Sequence, residues 1–129
     1  MSGHRIAARA MQQLGVAFRL HAALPGTALD CVGLIAHAAE LSGNFDYRLR
    51  GDFAAKTGSY LQGMGFAPLA ADADLVPGDI LMVQTAVRQQ HLMIYAGGGY
   101  IHGHAGLGRV VLMPAPSPWP ILCGWRDRR

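Results

Sequence analysis

Five short apolar runs crowd the second half of the chain, at 80–83, 91–96, 100–104, 110–113 and 121–126. Each has the length of a strand and is too short for a buried helix. Turn signals separate them: Pro77-Gly78-Asp79 before the first, Gly97-Gly98-Gly99 between the second and third, and Pro114, Pro116, Pro118 and Pro120 before the last. Connections well under about a dozen residues cannot carry parallel crossovers, so the strands must run antiparallel. The first half shows helical periodicity instead. Helices followed by antiparallel strands is α+β organisation, with N-terminal helices packed on a C-terminal sheet.

In the first half, Ser2 can cap a helix whose Ile6, Ala10 and Leu14 recur at four-residue spacing until Gly15 stops it. Residues 16–29 read as an irregular approach broken by Pro25-Gly26. A second helix is predicted from about Cys31 to Leu41, ending at Gly43, with Cys31, Leu34, Ile35 and Ala38 on one face. Residues 44–51 form a loop, and a third helix follows from Phe53 to Met64 despite Gly58 and Gly63. Asp79 is expected to fix a turn, and Trp119 and Trp125 to sit in the core or at its rim.

The whole chain, 1–129, reads as one domain. A hydrophobic fraction of 51% against 15% charged residues excludes disorder. Ten Arg and one Lys give a net charge of +3, but they form no basic stripe with interleaved aromatics, which argues against nucleic-acid binding. Arg5, Arg9 and Gln12-Gln13 interrupt any apolar leader, and no apolar run reaches membrane-spanning length. The expectation is synthesis in the cytoplasm without a signal peptide.

The chemistry rests on a cysteine and three histidines. Cys31 opens the second helix, where the helix dipole favours thiolate, and is therefore expected to be more reactive than Cys123. Asp30 before it is a helix cap whose charge would oppose thiolate formation at close range. His91 begins a strand sixty residues later, and a thiol with a distant imidazole is how cysteine nucleophiles are commonly assembled. Hairpin register decides whether His102 and His104 join them. A two-residue Gly98-Gly99 turn pairs Tyr95 with His102 and Met93 with His104, which puts all three imidazoles on one face. Geometry alone leaves open which of His102 and His104 would orient His91. Cys123 reads as a small buried hydrophobe, and His4, His21 and His37 as surface or partly buried residues.

The elements Asp30-Cys31-Val32-Gly33-Leu34, Pro77-Gly78-Asp79-Ile80-Leu81, His91-Leu92-Met93-Ile94-Tyr95 and Tyr100-Ile101-His102 occur in this order. Together they resemble the NlpC family (NlpC/P60) of papain-like cell-wall cysteine peptidases. The resemblance runs from Gly15 to Trp125. It implies a papain-like fold and an endopeptidase that cleaves peptide stems of peptidoglycan through a thioester, with no metal and no cofactor. It further implies Cys31 as nucleophile, His91 as general base, His102 as the group orienting it, and Asp30 as a contact for the substrate's free amine. Two positions depart from the pattern. Phe18 stands where the family often has Tyr, and Val32 where it often has Ser, so two hydroxyls that could meet substrate are missing. The ending from Gly108 to Trp119 is similar to small peptidases encoded with phage and gene-transfer-agent tail genes. That likeness implies tail proteins as partners and carriage on a phage-like particle to the cell wall.

Other classes compete. Cys31, His91 and His102 are zinc-ligand types, although their spacing matches no compact zinc motif. A thioester accepts any nucleophile, so acyl transfer is open to the same residues. A tail- or wall-associated binding protein without activity is the non-enzyme alternative.

Overall fold

Ser2 starts the first helix as expected. Its side chain accepts from the Arg5 amide at 3.2 Å, and α1 runs Gly3–Met11 in the computed structural model, which describes residues 2–49 and 51–129. Ile6 and Ala10 face the core, but the helix ends short of Leu14, which sits exposed in the following turn. The chain leaves early because the sheet claims it. Gly15 takes φ +85°, and its amide donates to the Val110 carbonyl at 2.9 Å.

The second helix, α2 (Cys31–Ala38), is three residues shorter than the sequence predicts. A Schellman turn closes it: Leu41 N–H donates to Ala36 O at 2.9 Å, and Glu40 takes the left-handed conformation at φ +54°. Arg5 and Arg9 hold the Glu40 carboxylate at 2.5 and 3.5 Å. The third helix, α3 (Phe53–Gly63), turns Phe53, Thr57, Gly58 and Leu61 inward. Gly58 packs toward Trp125, whose ring would lie at an ordinary contact distance of 3.5 Å from a Cβ at that position.

One nine-stranded sheet forms the rest of the molecule, in the order β2-β3-β1-β8-β7-β6-β5-β9-β4. The five expected strands are β5 (Ile80–Ala86), β6 (Gln89–Tyr95), β7 (Gly99–His104), β8 (Arg109–Pro114) and β9 (Ile121–Asp127), all pairing antiparallel. The proline-rich connection carries β9 across to pair with β5. Four short strands were not expected: β1 (Ala17–Phe18), β2 (Ala23–Leu24) and β3 (Ala28–Leu29) inside the supposedly irregular approach, and β4 (Phe66–Pro68) beside β9.

The helix-facing side of the sheet carries Ile80, Met82, Leu92, Ile94, Ile101 and Trp125, which pack with Leu34, Ile35 and Phe53. On the other face Leu81, Val83, Met93 and Tyr100 form a smaller cluster with Trp119 against it. Asp79 is buried and fixes its turn as expected. It accepts from Arg126 through both nitrogens at 2.8–2.9 Å and from the Val76 amide at 2.9 Å.

The β6–β7 hairpin corrects the expected register. Ile94 pairs with Ile101 and Tyr95 with Tyr100, so the turn is Gly97-Gly98 and not Gly98-Gly99. Gly97 supplies the left-handed φ of +103°. Gly99 is held in the strand, where a Cβ would strike the Met113 carbonyl of β8 at 2.4 Å. The shift is two residues, so the side-chain parity survives. Extending this register sets His104 across from His91, where the expected register set it across from Met93.

Candidate active site

Asp30 caps α2, as the sequence implies, but it does more. It is fully buried; Oδ1 accepts from the Gly33 amide at 2.8 Å and Oδ2 from the His21 amide at 2.8 Å. The Tyr47 hydroxyl donates to Oδ2 as well. Three donors on a buried carboxylate leave it engaged within the protein, and an incoming amine would have to displace Tyr47. Burial, followed by the bond to Asp30, pushes the Tyr47 phenol up, so it remains protonated and able to donate.

Cys31 is buried against β6. The Leu92 amide of that strand lies near the thiol, as do the amides of Val32 and Cys31 itself at the helix start. The Leu92 contact brings the thiol to the residue next to His91. These amides favour thiolate, but burial and then the Asp30 charge outweigh them and push the Cys31 thiol up to about 12. The expectation of a thiolate from the helix dipole alone therefore fails in this closed state, because desolvation is the larger effect.

His91 is also buried. Burial and then His104 hold its imidazole below the ordinary value, against an upward pull from Asp30. Phe18 on β1 stands with its ring centroid 6.4 Å from that of His91. Gly103 makes room for it, since a Cβ there would meet the Phe18 ring at 2.6 Å.

His91, His102 and His104 line one cavity of about 180 Å³, closed on one side by Trp119. His102 is the most buried of the three, with its ring edge-on to Trp119 and 5.6 Å from that of His104. Its Nε2 has no hydrogen-bond partner among the described residues. Burial, then His104 and His91, hold it down at about 4. His104 is half-buried, and its Nδ1 accepts from the Leu107 amide at 3.0 Å, which leaves Nε2 to carry the proton. The structure thus sets Phe18 beside His91, the Cys31 thiol near the neighbouring Leu92 amide with Asp30 capping its helix, and His91, His102 and His104 in one cavity.

Because the folded His102 binds its proton more weakly than an unfolded histidine, stability is complete above pH 6.5 and is lost as pH falls toward 4. The expected loss over that window is on the order of 3 kcal/mol. Denaturant melts at pH 7 and pH 4 check it: His102→Phe should flatten the dependence.

Sequence reasoning missed Tyr47. It lies in the loop between α2 and α3, where aromatic rings pack in series: Phe45 against Tyr47 and Tyr60, and Tyr47 against Phe53. The segment is tied down at three points. Tyr47 bonds Asp30, the His21 ring donates to the Tyr47 carbonyl at 3.1 Å, and Gln90 N–H donates to Leu49 O at 2.8 Å. A cavity of about 320 Å³ opens beside it, lined by His21, Val32, Ala36, Phe45, Tyr47 and Tyr60. Val32 therefore faces a cavity, but with an apolar side chain. Tyr47→Phe should cost roughly 1–3 kcal/mol by stripping a donor from a buried carboxylate. It should also leave more of the Asp30 charge facing the thiol and so slow alkylation of Cys31, which iodoacetamide labelling followed by peptide mass mapping would measure.

This arrangement, a thiol at a helix start against a curled antiparallel sheet with imidazoles on its strands, has solved counterparts. NlpC1 from Trichomonas vaginalis superposes with a TM-score of 0.70 at 25% identity, over 97% of this chain and 45% of its own. The fold is that of the NlpC/P60 family. The P60 domain of an antigen from Mycobacterium avium subspecies paratuberculosis matches with a TM-score of 0.64 at 17% identity, covering 97% of this chain and 93% of that domain. RipB, a peptidoglycan hydrolase from Mycobacterium tuberculosis, matches with a TM-score of 0.63 at 19% identity, over 96% of this chain and 63% of its own. The chain spans less than half the length of NlpC1. No family model matches this chain, and no curated protein matches it. Within the NlpC/P60 fold described here, no helix among the described residues is long and apolar enough to cross a membrane. No group of three or more His, Cys, Asp or Glu among those residues could hold a metal ion.

Proposed function

We propose that this NlpC/P60-fold chain is a cysteine endopeptidase that hydrolyses peptide stems of peptidoglycan. The observation that supports the reading is that the Leu92 amide, next to His91 in β6, lies near the helix-start thiol of Cys31. The likeness in fold to RipB supports the substrate class.

In this reading Cys31 Sγ attacks the scissile carbonyl while His91 takes its proton. The thiol is neutral at rest, so proton transfer accompanies attack. His91, held below the ordinary imidazole range, is neutral at pH 7 and able to act as base. The amides of Cys31 and Val32 at the start of α2 would stabilise the oxyanion. His91 then returns the proton to the leaving amine, and water hydrolyses the thioester. His102 orients His91, and Asp30 receives the free amine of the stem once Tyr47 yields its place. Transport on a phage-like particle rests on the sequence of the 108–119 ending alone. Digesting defined muropeptides and weighing the fragments tests the proposal: cut stems with free new termini support it.

A second reading has one observation in its favour. The buried, protonated thiol suits a binding protein of the same fold that does not turn over substrate. Intact muropeptides after prolonged incubation, with measurable binding, would favour it.

A further inference from the structure

The charged side chains of this molecule are unevenly paired. Arg5 and Arg9 hold Glu40, Lys56 faces Asp52, Arg126 holds Asp79 and Arg129 holds Asp127. Arg48 and Arg88 have no carboxylate partner among the described residues, and both line the same cleft of about 730 Å³. No acidic residue lines it.

The position of the cleft matters as much as its charge. It shares His21 and Tyr47 with the cavity beside α2 and Gln89 with the histidine cavity, so it borders both. Its walls are anchored. The 47–49 segment is fixed by the Leu49–Gln90 and Tyr47–Asp30 bonds, and Arg88 sits at the tip of the β5–β6 hairpin. Arg88 holds φ +61°, a conformation that glycine or asparagine adopts more cheaply than arginine. Leu20 and Val87 add exposed aliphatic surface between the guanidinium groups.

We propose that this cleft is a specificity subsite that takes a free carboxylate on an extended peptide stem, with Arg48 and Arg88 as its two guanidinium contacts. The proposal rests on the stem-peptidase reading for its substrate class. Planar, permanently charged forks suit carboxylate recognition, and the aliphatic walls suit the methylene groups that carry such a carboxylate. Amidation of that carboxylate removes the charge and one acceptor oxygen, so an amidated stem loses the interaction.

The test uses two stems that differ only in a free or an amidated side-branch carboxylate. Wild-type protein should favour the free acid by about tenfold to a hundredfold in kcat/KM. The Arg48→Gln, Arg88→Gln double variant should bring that ratio close to one, and raised salt should shrink it in the wild type. Equal rates on both stems, or a ratio that survives in the double variant, would overturn the proposal. If neither stem is cut, the peptidase reading fails by itself. Calorimetric titration of the same two stems into Cys31→Ala protein then decides the cleft: preferential binding of the free acid upholds it, and equal affinity removes it.

Discussion

Cys31→Ala protein should fold and bind stems but leave them intact. Alanine fills most of the thiol's volume at a buried position, so the stability cost should be roughly 1 kcal/mol. Turnover should fall by roughly 10⁵- to 10⁶-fold, the scale at which a covalent nucleophile is lost. Stem cleavage followed by mass spectrometry, beside a denaturant melt, reads both effects, and an active Cys31→Ala protein would end the assignment. Alkylation gives a complementary result whose order the structure reverses. The helix start alone suggests that Cys31 reacts before Cys123. Cys31 is fully buried with its thiol pushed to about 12, whereas Cys123 is half-buried on β9. Iodoacetamide at neutral pH should therefore tag Cys123 first.

The second large effect concerns the histidines. His91→Ala should lower kcat/KM most, by roughly 10³- to 10⁴-fold, since it removes the base. His102→Ala should cost less, because an orienting group is partly replaced by water or by His104. His104→Ala should be mild, its Nδ1 being used in the turn after β7. A His104→Ala loss clearly above that of His102→Ala would assign the orienting role to His104, which the extended hairpin register sets opposite His91. The pH profile should follow from the same residues. Burial and His104 lower the His91 imidazole, so the base stays neutral and competent below pH 6.5, and the acid limb should lie below the ordinary histidine range. His104→Gln should move that limb upward by removing a group that lowers the His91 imidazole.

Local signals were legible in the sequence. The Ser2 and Asp30 caps follow from one residue and its next three, and both form as read. The inward stripe of Cys31, Leu34, Ile35 and Ala38 follows from helical periodicity. What depended on distant partners was not legible. Three consecutive glycines allow either tight turn, and the choice falls to Gly97-Gly98 because Gly99 must approach the Met113 backbone of another strand. Strands of two or three residues, such as β1–β4, carry no periodicity and exist only because a neighbour offers hydrogen bonds. The bond from Tyr47 to Asp30 joins residues seventeen apart through a loop without a pattern. Phe18 and Val32 showed where hydroxyls are missing; nothing nearby in sequence showed that Tyr47 brings one to the Asp30 carboxylate.

The course of β9 has a consequence for how the chain can be made. This strand lies between β5 and β4, yet it follows both in the chain. Until residues 121–127 have left the ribosome, β5 presents one open edge, with Ile80, Leu81, Met82 and Val83 along it. Such an edge is a template for pairing with any neighbouring chain. Productive pairing of this part of the sheet therefore waits for residues 121–127, and the apolar strand they cover is, for that interval, its most adhesive part.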